Sequence, residues 1–270
     1  MEDLERALHE RILLLDGAFA TAIGLPPEQV RTGYDSLVLT NPDAVRALHA
    51  EYIAAGADAV TTDSMLADCR SLARYGMDDR SFDIAARATE LACEAVAESG
   101  RRCFVFGSLH PMGSDCHTLQ IEGLIKGGAD AILLESVCTT DYLTDIIRQI
   151  RHRASWIPII ASATTTHVPD AEAFYRALPE GELLAVGYNC SEGVESIAGQ
   201  ARWLGANARC ATIFYPNTGK KGVSPDEFAD GMERYLQQGL CNIVGGCCGT
   251  TPAHIEALDE KIAGYPPRSF

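Results

Sequence analysis

No run in this sequence comes near the roughly 18 apolar residues that a membrane-spanning helix needs. Its first ten residues, MEDLERALHE, are acidic and amphipathic where a secretory signal is basic and then apolar. The expectation is a cytoplasmic protein with no membrane partner. Basic residues are scarce as well: 22 Lys and Arg stand against 37 Asp and Glu, a formal net charge of -15. Nucleic acids and anionic surfaces recruit proteins through basic patches, so composition argues against both as partners. A Gly-x-Gly-x-x-Gly phosphate loop is missing from LDGAFATAIG, the stretch that follows the first apolar run. That weighs against a dinucleotide-binding open sheet. No linker, repeat or shift of composition divides the chain, so residues 1–270 are expected to form one domain.

What the chain does have is 47% hydrophobic residues, enough for a large core, and ten cysteines spread along its length. With no export signal, the thiols are expected to be reduced. Eight apolar, β-branched runs recur: ILLLDGA (12–18), ADAVTTD (57–63), CFVFGSL (103–109), ADAILLESV (129–137), IPIIASAT (157–164), LLAVGYNC (183–190), CATIFYP (210–216) and NIVGGCC (242–248). They are continuous, not alternating, which is the signature of parallel strands buried on both faces. Helical segments lie between most of them. Asn41 and Pro42 open one, Ser224 with Glu227 forms a capping box for another, and Thr251-Pro252 opens the last. Eight strand-helix repeats in about 250 residues predict an α/β fold, a (β/α)8 TIM barrel. The connection from strand three to strand four is short, with room in QIEGLIKGG for about two helical turns.

In such a barrel, chemistry sits at the C-terminal ends of the strands. Asp16, Thr62, Asp63, Ser108, His110, Glu135, Ser162, Asn189, Cys190, Asn217, Cys247 and Cys248 fall there. The adjacent Cys247 and Cys248 are poorly placed for a disulfide with each other, because the small ring strains S–S geometry. A buried apolar pair, a reactive thiol or two soft metal ligands remain. Cys190, at the end of another strand, can converge with them. Three thiolates and one open position form a plausible zinc site that handles a substrate, since structural zinc sites close all four positions.

The string GGCCGTTPAHIEAL closely resembles the terminal signature of the homocysteine S-methyltransferases. LLLDGAFAT, GADAVTTDSM, GSLHPMG, GADAILLES, GYNCSEG and YPNTGK resemble further segments of that family, in the family's order and over nearly the whole chain. The resemblance implies a (β/α)8 barrel carrying Zn2+ on Cys190, Cys247 and Cys248, with Asn217 of YPNTG as the match for a labile fourth ligand. It implies that Glu135 receives the homocysteine amino group and that Asp16 and Gly17 grip the amino acid end. Thr62, Ser108 and Asn189 are the remaining candidates for substrate contact. The implied activity is methyl transfer to homocysteine, giving methionine, from a small-molecule donor or from a separate corrinoid protein.

The chain departs from the family pattern in the first motif, where Ala18 and Ala20 stand for glycines. It also has Asp63 where an asparagine is common and His110 where a glycine is expected, and the third connection is trimmed. These changes leave the zinc ligands intact and bear on the donor and on homocysteine itself as the acceptor. Two other functions stay open on the sequence: a zinc- or thiol-binding barrel without turnover, and a methyltransferase for a different thiol.

Overall fold

Alternate residues of each apolar run face opposite cores, which explains why the runs lack a polar face. Leu13, Leu15, Ala59, Phe104, Phe106, Leu133, Ile160, Ala185, Ile213 and Ile243 pack together in one buried cluster. Their neighbours Leu14, Val60, Val105, Ile132, Ile159, Val186, Phe214 and Val244 pack in another, with the apolar sides of the surrounding helices. The first cluster is the interior of a barrel, and the second is the layer between barrel and helices. A strand clothed on both sides in this way reads as apolar throughout.

The computed structural model describes residues 3–270. The strands are β1 (Leu13–Leu14), β2 (Ala59–Thr61), β3 (Phe104–Leu109), β4 (Ala131–Val137), β5 (Ile159–Thr164), β6 (Ala185–Asn189), β7 (Ala211–Tyr215) and β8 (Ile243–Val244). All pair in parallel in the order β1-β8-β7-β6-β5-β4-β3-β2. A single bridge, Leu15 to Ala59, joins the two ends, so the sheet forms a nearly closed (β/α)8 barrel. The seam is reinforced by Asp16, whose Oδ2 accepts the Thr61 N–H at 2.8 Å and whose Oδ1 accepts the Thr61 hydroxyl at 3.1 Å. The N-terminal helix Leu4–Glu10 supplies Leu4, Ala7 and Leu8 to the interior cluster.

Helix ends follow the local chemistry of the sequence. Ser224 Oγ accepts from the Glu227 N–H and Glu227 Oε2 accepts from the Ser224 N–H, closing the capping box of helix Pro225–Gln237. Thr251 caps helix Pro252–Ile262 in the same reciprocal manner with His254. Asn41 stands at the start of helix Pro42–Ala54 without a side-chain cap bond, its amide instead donating to Gln29. The third connection differs from expectation: its helix runs from Thr118 to Gly127, nearly three turns. His117 starts it three residues before Gln120, its ring hydrogen-bonding Gln120 Oε1 at 2.9 Å while its carbonyl accepts from Ile121.

Candidate metal and substrate site

Within the strands, the interior-facing positions change from apolar to polar toward the C-terminal ends: Leu133 is followed two residues on by Glu135, Ile160 by Ser162, and Ile213 by Tyr215. Period-two alternation therefore aims these side chains into the barrel mouth. Glu135 and Tyr215 floor a cavity of about 200 Å³ that also takes in Asp16, Gly17, Ala18, Thr62, Asp63 and Ser108, with Cys190, Cys247 and Cys248 in its wall, while Ser162 is buried outside the lining with its hydroxyl donating to Asn189.

The three sulfurs converge. Cys190 Sγ lies 3.0 Å from Cys247 Sγ and 3.7 Å from Cys248 Sγ. All three lie within 4.8 Å of one another, and among the described residues they form the one group of three or more Cys, His, Asp or Glu placed to hold a metal. Tetrahedral Zn–S bonds of about 2.3 Å put sulfurs about 3.8 Å apart, so the Cys190–Cys248 pair already has that spacing and the Cys190–Cys247 pair reaches it by opening about 0.8 Å. Among the described residues the buried Asn217 Oδ1 makes no hydrogen bond. Asn217 shares a second, more open cavity with Cys190 and Cys248. An acceptor oxygen left without a donor in a cavity lined by Cys190 and Cys248 fits a metal ligand. The thiols also share protons: hydrogen bonds from Cys190 and Cys247 hold the Cys248 thiol far below its ordinary value.

Backbone geometry brings the thiols together. Cys190 takes φ +46° and Ser136 φ +56°, left-handed conformations that cost a non-glycine residue about 1–2 kcal/mol. Between them sits Asn189, fully buried. Its Oδ1 accepts from the Ser136 N–H and the Ser162 hydroxyl, and its amide nitrogen donates to Ser136 Oγ at 2.8 Å. Asn189 therefore does not line the cavity; it ties the ends of β4, β5 and β6 together beneath it. Just after β8, a Cβ at Gly246 meets Thr250 at 2.5 Å. Thr250 Oγ1 donates to the Cys247 carbonyl and accepts the Ala18 N–H, locking the cysteine turn to the first loop. Gly17 is as tightly set, since a Cβ there meets Thr250 Oγ1 at 2.7 Å and the Tyr52 hydroxyl at 2.8 Å.

The carboxylates are held in different ways. Glu135 Oε2 accepts from the Ser108 hydroxyl at 2.6 Å, and burial pushes its pKa up against the lowering effect of that bond. Asp16 is spent on the β1–β2 seam, and burial drives its pKa well above the ordinary carboxylate value. Thr62 Oγ1 accepts the Ser108 N–H at 2.9 Å, so it supports the β2–β3 edge as well as lining the cavity. His110 lies outside the cavity lining and donates through Nδ1 to the Glu135 carbonyl at 3.1 Å. Strand-end reasoning missed Phe19, Tyr34, Asp35 and Tyr215, all of which line the cavity. Tyr215 was findable, two residues before Asn217 at the end of β7. Asp35 lies in a short turn, Tyr34–Ser36, between the first two strands, where no periodicity points to it.

The fold and the cluster define a (β/α)8 barrel with three convergent thiols, a candidate metal site, in its mouth. The sequence profile of the homocysteine S-methyltransferases matches residues 13–262, and this chain belongs to that family. It is similar to the metallated form of the homocysteine methyltransferase MmuM from Escherichia coli, with a TM-score of 0.79 and 25% identity over 93% of this chain and 96% of that one. The apo form of the same protein superposes with a TM-score of 0.73 at 26% identity, over 93% of this chain and 96% of that one. The tryptophan synthase α subunit of Legionella pneumophila, at 12% identity and a TM-score of 0.54 over 98% of this chain and 99% of that one, shares the barrel alone.

Proposed function

We propose that residues 1–270 form one cytoplasmic domain that transfers a methyl group to the thiol of homocysteine, giving methionine, with Zn2+ as its metal. The observation that carries this reading is the convergence of Cys190, Cys247 and Cys248 in the wall of a cavity that also presents Glu135. Cys190, Cys247 and Cys248 are the thiolate ligands, and Asn217 is the ligand that yields its place to substrate. When bound, zinc lowers the pKa of a coordinating thiol, so the acceptor sulfur is held as thiolate without a general base.

The chain's own residues orient the acceptor. Glu135, steadied by the Ser108 hydroxyl, receives the substrate ammonium group. Gly17 leaves room for the amino acid end beside the first loop, which Asp16 and Thr62 brace against the neighbouring strands. Asn189 positions the Cys190 turn from below. The acceptor sulfur then supplies the electron pair of the new S–CH3 bond, while the old bond to methyl breaks and its pair leaves with the donor. Alignment of three atoms is the protein's main contribution.

The test is methionine formation by zinc-loaded protein from homocysteine with a panel of donors: S-methylmethionine, betaine and methylcobalamin. Turnover with any of them supports the reading. Intact zinc and homocysteine binding without turnover replaces it with a non-catalytic thiol-binding barrel. Negligible zinc content, together with no effect of Cys190→Ala, rejects both.

A further inference from the structure

Two buried polar atoms in the second cavity lack partners, and they belong to neighbouring loops. Neither Asn217 Oδ1 nor Ser191 Oγ has a hydrogen-bond partner among the described residues, and Ser191 is 1% exposed. Both residues line that cavity, of about 410 Å³, together with Cys190 and Cys248. Asn189 on β6 pairs with Tyr215 on β7, so Ser191 and Asn217, each two residues further on, leave their strands at the same level. The loops stay in contact beyond that point. A Cβ at Gly219 meets the Glu192 carbonyl oxygen at 3.3 Å, and Lys220 Nζ reaches Glu192 Oε1 at 3.1 Å.

The backbone on either side of Asn217 is pinned. The Cys247 N–H donates to the Pro216 carbonyl at 2.9 Å, and the Thr218 N–H donates to the Cys248 carbonyl at 3.1 Å. An amide that gives up a metal position here does so by turning its side chain between rotamers while the loop stays in place. Its oxygen then needs a donor, because a buried acceptor without one is costly. Thr218 packs its hydroxyl against the Gly249 backbone, Lys220 is taken by Glu192, and Thr166 is exposed. Ser191 offers a buried hydroxyl with no partner of its own.

We infer that Ser191 is a positioning residue for ligand exchange: its hydroxyl donates to the Asn217 carboxamide oxygen once the homocysteine sulfur takes the fourth place. This inference rests on the methyl-transfer reading and deepens it on the acceptor side. Without substrate the amide oxygen serves the metal and the hydroxyl stands alone; with substrate each satisfies the other. The exchange transfers no group: the amide leaves neutral, and the incoming thiol gives its proton to solvent. Ser191 therefore acts on homocysteine affinity and KM and not on kcat.

The experiment is calorimetric titration of homocysteine into the full-length, zinc-loaded protein and its variants, with zinc affinity measured by chelator competition without homocysteine. Ser191→Ala is expected to weaken homocysteine binding about three- to tenfold and to leave zinc affinity within about twofold of wild type. In an Asn217→Ala background the same substitution is expected to change homocysteine binding by less than about twofold, since no displaced oxygen remains to be received. An effect of equal size in both backgrounds overturns the inference, as does wild-type homocysteine affinity in Ser191→Ala. A crystal structure of the zinc-loaded wild type with homocysteine needs no variant to fold. Asn217 Oδ1 within about 3 Å of Ser191 Oγ supports the inference, and that oxygen on any other partner, the metal included, overturns it. Asn217 held by Ser191 in a homocysteine-bound protein that makes no methionine from any donor instead rejects the methyl-transfer reading and leaves the exchange standing.

Discussion

Asn189 and Ser136 clasp each other: the Asn189 carbonyl oxygen accepts the Ser136 N–H at 3.2 Å, and the Asn189 amide nitrogen donates to Ser136 Oγ at 2.8 Å. Ser136 follows Glu135 and Asn189 precedes Cys190, so this one contact sets the distance between the carboxylate and the thiol cluster. Both Ser136 and Cys190 occupy left-handed backbone, which the clasp holds in place.

Asn189→Ala leaves the buried Ser136 N–H and Ser162 hydroxyl without their acceptor, at about 1–3 kcal/mol for each. Urea unfolding is expected to show that loss. Because the clasp orients a metal-binding turn, zinc affinity measured by chelator competition is expected to fall about 10–100-fold. Unchanged zinc affinity refutes the link between the clasp and the metal site.

Gly246→Ala forces a methyl group against Thr250, which cannot move without releasing the Cys247 carbonyl and the Ala18 N–H. Overpacking of this kind costs about 1–3 kcal/mol. Denaturation midpoints report it, and zinc content falls with it. Full stability with full zinc occupancy contradicts the close approach described here.

Glu135→Gln keeps the shape of the side chain and removes its charge. A charge-assisted hydrogen bond contributes about 1.5–3 kcal/mol, so homocysteine binding is expected to weaken about 10–100-fold. Calorimetry on the zinc-loaded variant checks this. Binding within about twofold of wild type removes Glu135 from the ammonium contact.

Stability should respond to pH through the buried acids. Burial raises the pKa of Asp63 in the folded chain, so between the ordinary carboxylate value and that raised value the folded state holds a proton the unfolded state has lost. Its contribution is complete below the unfolded pKa of 3.8 and is lost as pH rises through the folded one. Urea unfolding of metal-free protein across this range is expected to show a decline in stability with rising pH that is shallower in Asp63→Asn. A parallel decline in the two proteins shows that Asp63 ionises freely.

The barrel was legible because each strand is buried on both faces, and eight apolar runs with capped helices between them allow few other folds. The thiol cluster was legible because Cys190, Cys247 and Cys248 lie at strand ends, where the fold itself brings distant residues together. Local periodicity carries no such information for loops. Asp35 belongs to a turn that reaches the cavity only through tertiary packing, and Asn189 looks from sequence like a substrate contact because its hydrogen bonds to Ser136 and Ser162 join separate strands. The helix of the third connection was underestimated because His117 and Gln120 start it through a side-chain contact that composition does not reveal.

The central claim is that three protein thiolates hold a zinc ion whose fourth place passes to the substrate sulfur. X-ray absorption at the zinc edge, on protein carrying one zinc per chain, tests this most directly. The account predicts three sulfurs and one nitrogen or oxygen around zinc without substrate, and four sulfurs once homocysteine is added. A sulfur count that homocysteine leaves unchanged contradicts it.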